Sequence, residues 1–192
     1  MEWVNDVECA LLIGAVPPFK REDEEAWYNR YRASRGNKGF TIVEKATSMP
    51  VGVATLDNIL FNHRSATLGL ILRKGSRRKG YGREAVALLV DYAFNVLNLN
   101  RLEGHVFDFN GATSAIAASL GFRIVGTLRQ SVFAGGRYHD AMAYDLLAEE
   151  YRKGRTPSSV CDLVAQHQLR ARRSAPRETV RTTGKGRARG LT

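Results

Sequence analysis

The hydrophobic period changes once in the middle of the chain, and that change frames the rest. Thr67-Leu-Gly-Leu-Ile-Leu72 holds β-branched residues and three leucines without a charge, which predicts a strand. A basic, glycine-rich stretch follows from Lys74 to Gly82. From Glu84 the apolar positions Ala85, Leu88, Leu89, Tyr92, Ala93 and Val96 recur at helical spacing and predict a long helix. Leu102–Phe107 reads as the next strand, and its place after that helix makes it the parallel partner of residues 67–72.

Upstream, Trp3, Val4, Val7, Ala10 and Leu11 share one helical periodicity, and Ala26, Trp27 and Tyr31 share another, with Pro17-Pro18 between them. Gly39–Glu44 and Val51–Leu56 read as a hairpin broken at Met49-Pro50, and Asp57–Arg64 is either a loop or a strand extension. Asn110 leads into a short alanine-rich helix. Arg123–Leu128 and His139–Leu147 are late strands joined through Ser131–Tyr138, with Gly135-Gly136 supplying the turn. The expected fold is α/β (α+β): a mixed, mostly antiparallel sheet with helices on both faces and one parallel pair beside the basic turn.

Composition narrows the class. At 192 residues and 44% apolar content the chain suits one soluble domain with a real core. No run of eighteen apolar residues occurs, so a membrane span is not expected. The acidic, polar start Met1-Glu-Trp-Val-Asn-Asp6 is not a secretory signal, and the cytoplasm is the default compartment. Cys9 and Cys161 are far apart and the histidines lack metal-ligand spacing, so neither a disulfide scaffold nor a metal site is expected. The net charge of +10 sits mostly in residues 153–192, where ten Lys or Arg face only Asp162 and Glu178. That divides the chain into a near-neutral domain, 1–152, and a basic tail, 153–192, expected to form a short helix at 158–173 and then disorder. The tail suggests nucleic-acid contact by counterion release, or only a solvated segment, and it has no aromatic residue for stacking.

The strand-to-helix turn is the candidate chemistry. The first turn of a helix has unpaired N–H groups, glycines admit close approach, and Arg77, Arg78, Lys79 and Arg83 add positive charge. Such a turn suits a phosphate or pyrophosphate. Neither the dinucleotide fingerprint nor the P-loop is present, because the residue three after Gly82 is Ala85 and no G-K-[ST] occurs.

The spacing Arg77-x-x-Gly80-x-Gly82 resembles the acyl-coenzyme A loop of the GCN5-related N-acetyltransferases (GNAT), written [QR]-x-x-G-x-[GA]. Asn110-Gly-Ala-Thr113, running on to Gly121-Phe122, is similar to that family's Asn-led helix. Phe133-Ala-Gly-Gly-Arg-Tyr138-His139-Asp140 is similar to the late hairpin of its ribosomal-protein and polyamine acetyltransferase branch. The resemblance spans roughly residues 3–151 and implies transfer of acetyl from acetyl-CoA to a primary amine: a protein N-terminus, a polyamine or an amino-sugar. In the family a strand precedes Trp-x-Asn-Asp, so either it is missing here or the start is misassigned. The resemblance implies that Leu70, Ile71, Leu72, Arg77, Arg78, Lys79, Gly80, Tyr81, Gly82, Arg83 and Asn110 hold the coenzyme. The pantetheine arm enters between the parallel strands if these splay.

The family's usual tyrosine acid, seven residues after the Asn, is replaced by Ala117. Thr113, three after it, stands where the ribosomal-protein branch has a serine, and its hydroxyl is the candidate acid for the leaving thiolate, with Ser119 weaker. Asn110 is either a pantetheine ligand, a helix cap or both. For the general base Glu103, His105, Asp57, His63, His139 and Asp140 stay open. The acidic block Glu22–Glu25 is a candidate groove for a cationic acceptor or a solvated helix start. A homodimer is one expectation for assembly. A non-catalytic acyl-CoA-fold binding domain with an RNA- or ribosome-contacting tail is the alternative reading.

Overall fold

The computed structural model describes residues 2–153. Three helices open the chain: α1 (Glu2–Asn5), α2 (Val7–Leu12) and α3 (Arg21–Ala33). The polar pair between the first two sets their geometry. Asp6 caps α2 by accepting the Cys9 N–H at 2.9 Å, and Asn5 binds the Phe19 backbone on both sides, at 3.0 and 2.7 Å. The strands follow as β1 (Lys38–Val43), β2 (Pro50–Leu60), β3 (Ser65–Leu72), β4 (Arg101–Phe107), β5 (Arg123–Ala134) and β6 (Arg137–Leu147), in sheet order β1-β2-β3-β4-β6-β5. Helix α4 (Tyr81–Asp91), which runs on through a π-helical turn over Tyr92–Val96, crosses from β3 to its parallel neighbour β4. Helix α5 (Gly111–Ser119) links β4 to β5, and α6 (Ala148–Lys153) follows β6.

Of the stretch Asp57–Arg64, residues 57–60 continue β2 and 61–64 form the turn into β3, so each alternative holds for one half. The late strands run further than their apolar runs suggest, since β5 and β6 continue through the segment read as a connection until Gly135-Gly136 turns the chain. The stretch 158–173 and the rest of the tail lie outside the described residues.

The core lies between the sheet and α4. Ala54, Leu56, Ala66, Leu102, Val106 and Leu146 meet Val86, Leu89, Val90, Ala93 and Phe94, closed by Leu120, Phe122 and Tyr151. This corrects the helical face read from the sequence. Leu88 is 52% exposed and Val96 49% exposed, and the buried stripe instead runs Gly82, Val86, Leu89, Val90, Ala93. Gly82 sets that phase. A Cβ there would stand 3.1 Å from Leu72 Cδ1 and from Ile116 Cδ1, so the glycine is what lets α4 close on β3 and α5. On the opposite face, α2 and α3 lie over the sheet: Tyr31 reaches Asp57 on β2, and Gly14 sits against Phe107.

Candidate active site

Strands β3 and β4 pair only at Ser65↔Arg101, Ala66↔Leu102 and Thr67↔Glu103, then diverge. Two connected hollows open from that point. The outer one, about 670 Å³, runs from the glycine turn past Leu70, Ile71 and Leu72 to Asn110 and Thr113. The inner one, about 310 Å³, lies in the split itself, between Leu68, Gly69 and Leu70 on one side and His105, Val106 and Phe107 on the other.

Gly80 caps α4 in the left-handed region at φ 87°, and the first helical bond is Glu84 N–H to the Gly80 carbonyl at 3.1 Å. The amides of Tyr81, Gly82 and Arg83 therefore have no carbonyl one turn back. The charge around them is divided unevenly. Arg78 and Arg83 line the outer hollow and meet no carboxylate among the described residues. Arg77 also lines it, but its guanidinium is held by Glu8 Oε1 at 2.5 Å, Cys9 Sγ at 2.7 Å and the Leu72 carbonyl at 3.4 Å. Glu8 binds Lys74 as well, at 2.7 Å. Its carboxyl is drawn below the usual range, first by the Lys74 hydrogen bond. Burial pushes the Cys9 thiol up, and the Arg77 charge opposes that only in part.

Lys79 and Tyr81 stand outside the hollow's lining. The Tyr81 hydroxyl donates to Glu44, which raises its pKa and lowers that of Glu44, although Thr47 contributes more to the latter. What Tyr81 brings to the turn is its backbone N–H.

Asn110 is buried. Its Oδ1 accepts the Thr113 N–H at 3.2 Å and its Nδ2 donates to the Leu12 carbonyl at 3.5 Å, so it caps α5 and ties it to α2. Thr113 lines both hollows, and no hydrogen bond engages its hydroxyl among the described residues. Ala117 lines the inner hollow. Ser119 donates its hydroxyl to the Ile116 carbonyl at 2.8 Å and lines neither.

The open set of bases divides clearly. Asp57 and His105 line the inner hollow. Glu103 pairs with Arg101 at 3.2 Å, and Asp140 accepts the Gln130 N–H at 2.8 Å. His63 sits in the exposed β2–β3 turn. His139 is 8% exposed. Its Nε2 accepts from Arg137 at 3.3 Å, which leaves Nδ1 as the donor to Asp108 at 2.8 Å. Burial works against the Asp108 charge, yet the His139 hydrogen bond, with two backbone N–H groups, brings its pKa down. The block Glu22–Glu25 forms the first turn of α3, where Asp23 accepts the Lys20 N–H and Glu25 pairs with Arg21.

Residues 1–123 match the acetyltransferase (GNAT) domain family. The chain belongs to the GNAT acetyltransferases. It is therefore an acetyl-CoA-dependent N-acetyltransferase that acts on an amine. A spermidine N(1)-acetyltransferase of Vibrio cholerae is 30% identical over 135 residues, covering 70% of this chain and 78% of that protein. The uncharacterized N-acetyltransferase p20 of Bacillus licheniformis is 36% identical over 112 residues, covering 58% and 63%. Among solved structures, the V. cholerae spermidine N-acetyltransferase in complex with CoA and spermine superimposes with a TM-score of 0.74 at 25% identity, covering 78% of this chain and 88% of that one. Among the described residues no helix is long and apolar enough to cross a membrane.

Sequence reasoning read the helical periodicity of α2 but missed its place at the site. Glu8, Cys9, Leu12 and Ile13 line the outer hollow, yet nothing in their spacing places them there. The one usable signal was Asn5-Asp6, a pair of cap-forming residues that fixes where α2 begins. The hydroxyls of Tyr31 and Thr55, which hold Asp57, also went unseen, because only the sheet register brings them together.

Proposed function

We propose that this GNAT enzyme acetylates a polyamine-class amine in the cytoplasm. The coenzyme's pyrophosphate lies over the amides of Tyr81, Gly82 and Arg83, flanked by Arg78 and Arg83, and its pantetheine arm runs along Leu70–Leu72. Lys79, on the rim, adds charge without a contact. Arg77 holds the turn to α2 through Glu8 and Cys9. The observation that carries this reading is the three-position β3–β4 pairing, because the backbone of Leu68–Leu72 is left facing an open hollow beside a helix start.

The amine nitrogen, having given one proton to water, attacks the thioester carbonyl. The C–N bond forms, the C–S bond breaks, and the coenzyme leaves as thiolate. Thr113 donates its hydroxyl proton towards that sulfur, and the proton lost by the amine nitrogen as the amide forms makes up the balance. Asn110 acts through position, fixing the start of α5 and hence Thr113.

The polyamine acceptor rests on the V. cholerae relatives and on the carboxylates Asp57, Glu103 and Asp145 on the sheet face under α2 and α3. Self-association is part of the same proposal. Edge strand β5 exposes Ile124, Val125, Leu128 and Phe133.

Release of coenzyme thiol from acetyl-CoA with spermidine, a monoamine and an N-terminal peptide tests the assignment. Turnover with spermidine above the other two is expected, and turnover with the peptide alone would overturn the polyamine acceptor. Thr113→Ala is expected to lower kcat by at least about tenfold with KM values within about twofold. An unchanged kcat would remove Thr113 from the mechanism.

A further inference from the structure

The sheet register places a row of polar residues straight across four strands. Asp57 on β2 faces Thr67 on β3, Thr67 faces Glu103 on β4, and Glu103 faces Asp145 on β6. Directly opposed residues share a face, so three carboxylates lie along one line at the point where β3 and β4 part. Their surroundings differ. Arg101 bridges two of them, with Nη1 3.2 Å from Glu103 and Nε 3.0 Å from Asp145. Asp57 has no cation within ion-pair distance among the described residues. Both its oxygens are instead held by neutral hydroxyls, Tyr31 at 2.9 Å on Oδ1 and Thr55 at 2.7 Å on Oδ2. Glu8, the other carboxylate lining the hollows among the described residues, is paired with Lys74 and Arg77.

The sequence keeps the space over Asp57 clear. Gly69 faces Thr55, and a Cβ at residue 69 would stand 2.4 Å from the Thr55 hydroxyl and 3.4 Å from Asp57 Oδ2. Only glycine lets that hydroxyl lean across to the carboxylate while the inner hollow stays open above it. Gly69 also lies on the strand that lines the donor arm. Asp57 is therefore a fixed, half-buried carboxylate in the wall of the inner hollow, which Leu70 at the end of the donor groove also lines.

We propose that Asp57, clamped by Tyr31 and Thr55 and left uncovered by Gly69, receives the ammonium of the acceptor amine and holds it beside the acyl carbon, where its nitrogen attacks once it has given one proton to water. The inference rests on the acetyl-transfer reading above and adds which residue binds the acceptor. A fixed carboxylate without a cation binds an ammonium at little reorganisation cost, because its two hydroxyl donors already hold its geometry.

The test is steady-state kinetics on the full chain with acetyl-CoA and spermidine. Asp57→Asn keeps size and hydrogen bonding but removes the charge. It is expected to raise the acceptor KM by about tenfold or more while the acetyl-CoA KM stays within about twofold. Asp57→Glu is expected to recover part of that loss. Thr67→Lys, which supplies an ammonium from the position facing Asp57, is expected to raise the acceptor KM well beyond Thr67→Met, which has similar bulk and no charge. These two variants keep the proposal testable if Asp57→Asn fails to fold. An acceptor KM unmoved by Asp57→Asn, or equal effects of Thr67→Lys and Thr67→Met, would overturn the role of Asp57 and leave acetyl transfer standing. A wild-type enzyme that releases no thiol with any amine would overturn both.

Discussion

One methyl group is more than the start of α4 can take without movement. At Gly82 an added Cβ meets Ile116 Cδ1 and Leu72 Cδ1 at 3.1 Å and Leu70 Cδ2 at 3.3 Å. All three are flexible side-chain ends, so they can yield, at the cost of overpacking. Gly82→Ala is expected to destabilise the fold by about 1–3 kcal/mol, read as a lower urea midpoint, and to weaken acetyl-CoA binding because the same three side chains line the groove. A variant as stable as wild type would show that this packing has slack. Gly80 is a different case. Nothing stands within 4 Å of its would-be Cβ, and its requirement is φ 87° alone. The motif spacing announced two glycines but not that one serves the backbone and the other the core. The same holds for Arg77, which matches the motif while its guanidinium turns to Glu8 and Cys9.

At the scale of elements, α5 matters because it sets Thr113 between the two hollows. Its cap is testable apart from its chemistry. Asn110→Ala removes the acceptor for the Thr113 N–H and should cost about 1 kcal/mol in a thermal or urea melt, while Asn110→Ser, a good cap, should recover most of that. Equal melts for the two would mean that the Leu12 contact, lost in both, is what holds the helix. Strands and helices were legible in the residues because period-two runs, helical spacing and glycine turns are local signals. Three features were not. The buried face of α4 is fixed by Gly82 meeting β3 and α5, not by the sum of its apolar residues. The length of β5 and β6 comes from pairing with each other, which carries exposed residues such as Phe133 into strand. The closeness of α2 to the glycine turn depends on Glu8 meeting Lys74 and Arg77, contacts across more than sixty residues of chain.

Across the whole molecule, charged and phenolic groups tie the N-terminal helices, the turn and the sheet together, and they fix how stability varies with pH. The carboxyls of Asp6, Glu8, Glu44, Asp108 and Glu149 are all drawn below their ordinary values, by the Cys9 amide, Lys74, Thr47, His139 (against burial) and Lys153 respectively. A carboxyl depressed in the folded state contributes stability above its unfolded pKa, near 4, and loses it as pH falls through the folded value. Lys74 and Lys153 are raised by Glu8 and Glu149. Tyr31 is raised by burial and then Asp57, and Tyr81 by Glu44. Groups raised on folding contribute below their unfolded pKa, about 10, and lose that contribution above it. The melting temperature is therefore expected to hold a plateau between about pH 5 and pH 9 and to fall on both sides. Glu8→Gln should soften the acid limb, because a neutral amide has no proton to gain, and it should also free Lys74 and Arg77 towards the coenzyme. Its acetyl-CoA KM is expected to fall, most clearly at low ionic strength, where charge on an exposed surface is least screened. An acid limb identical to wild type with an unchanged KM would mean that Glu8 neither anchors α2 nor competes with the pyrophosphate for the turn.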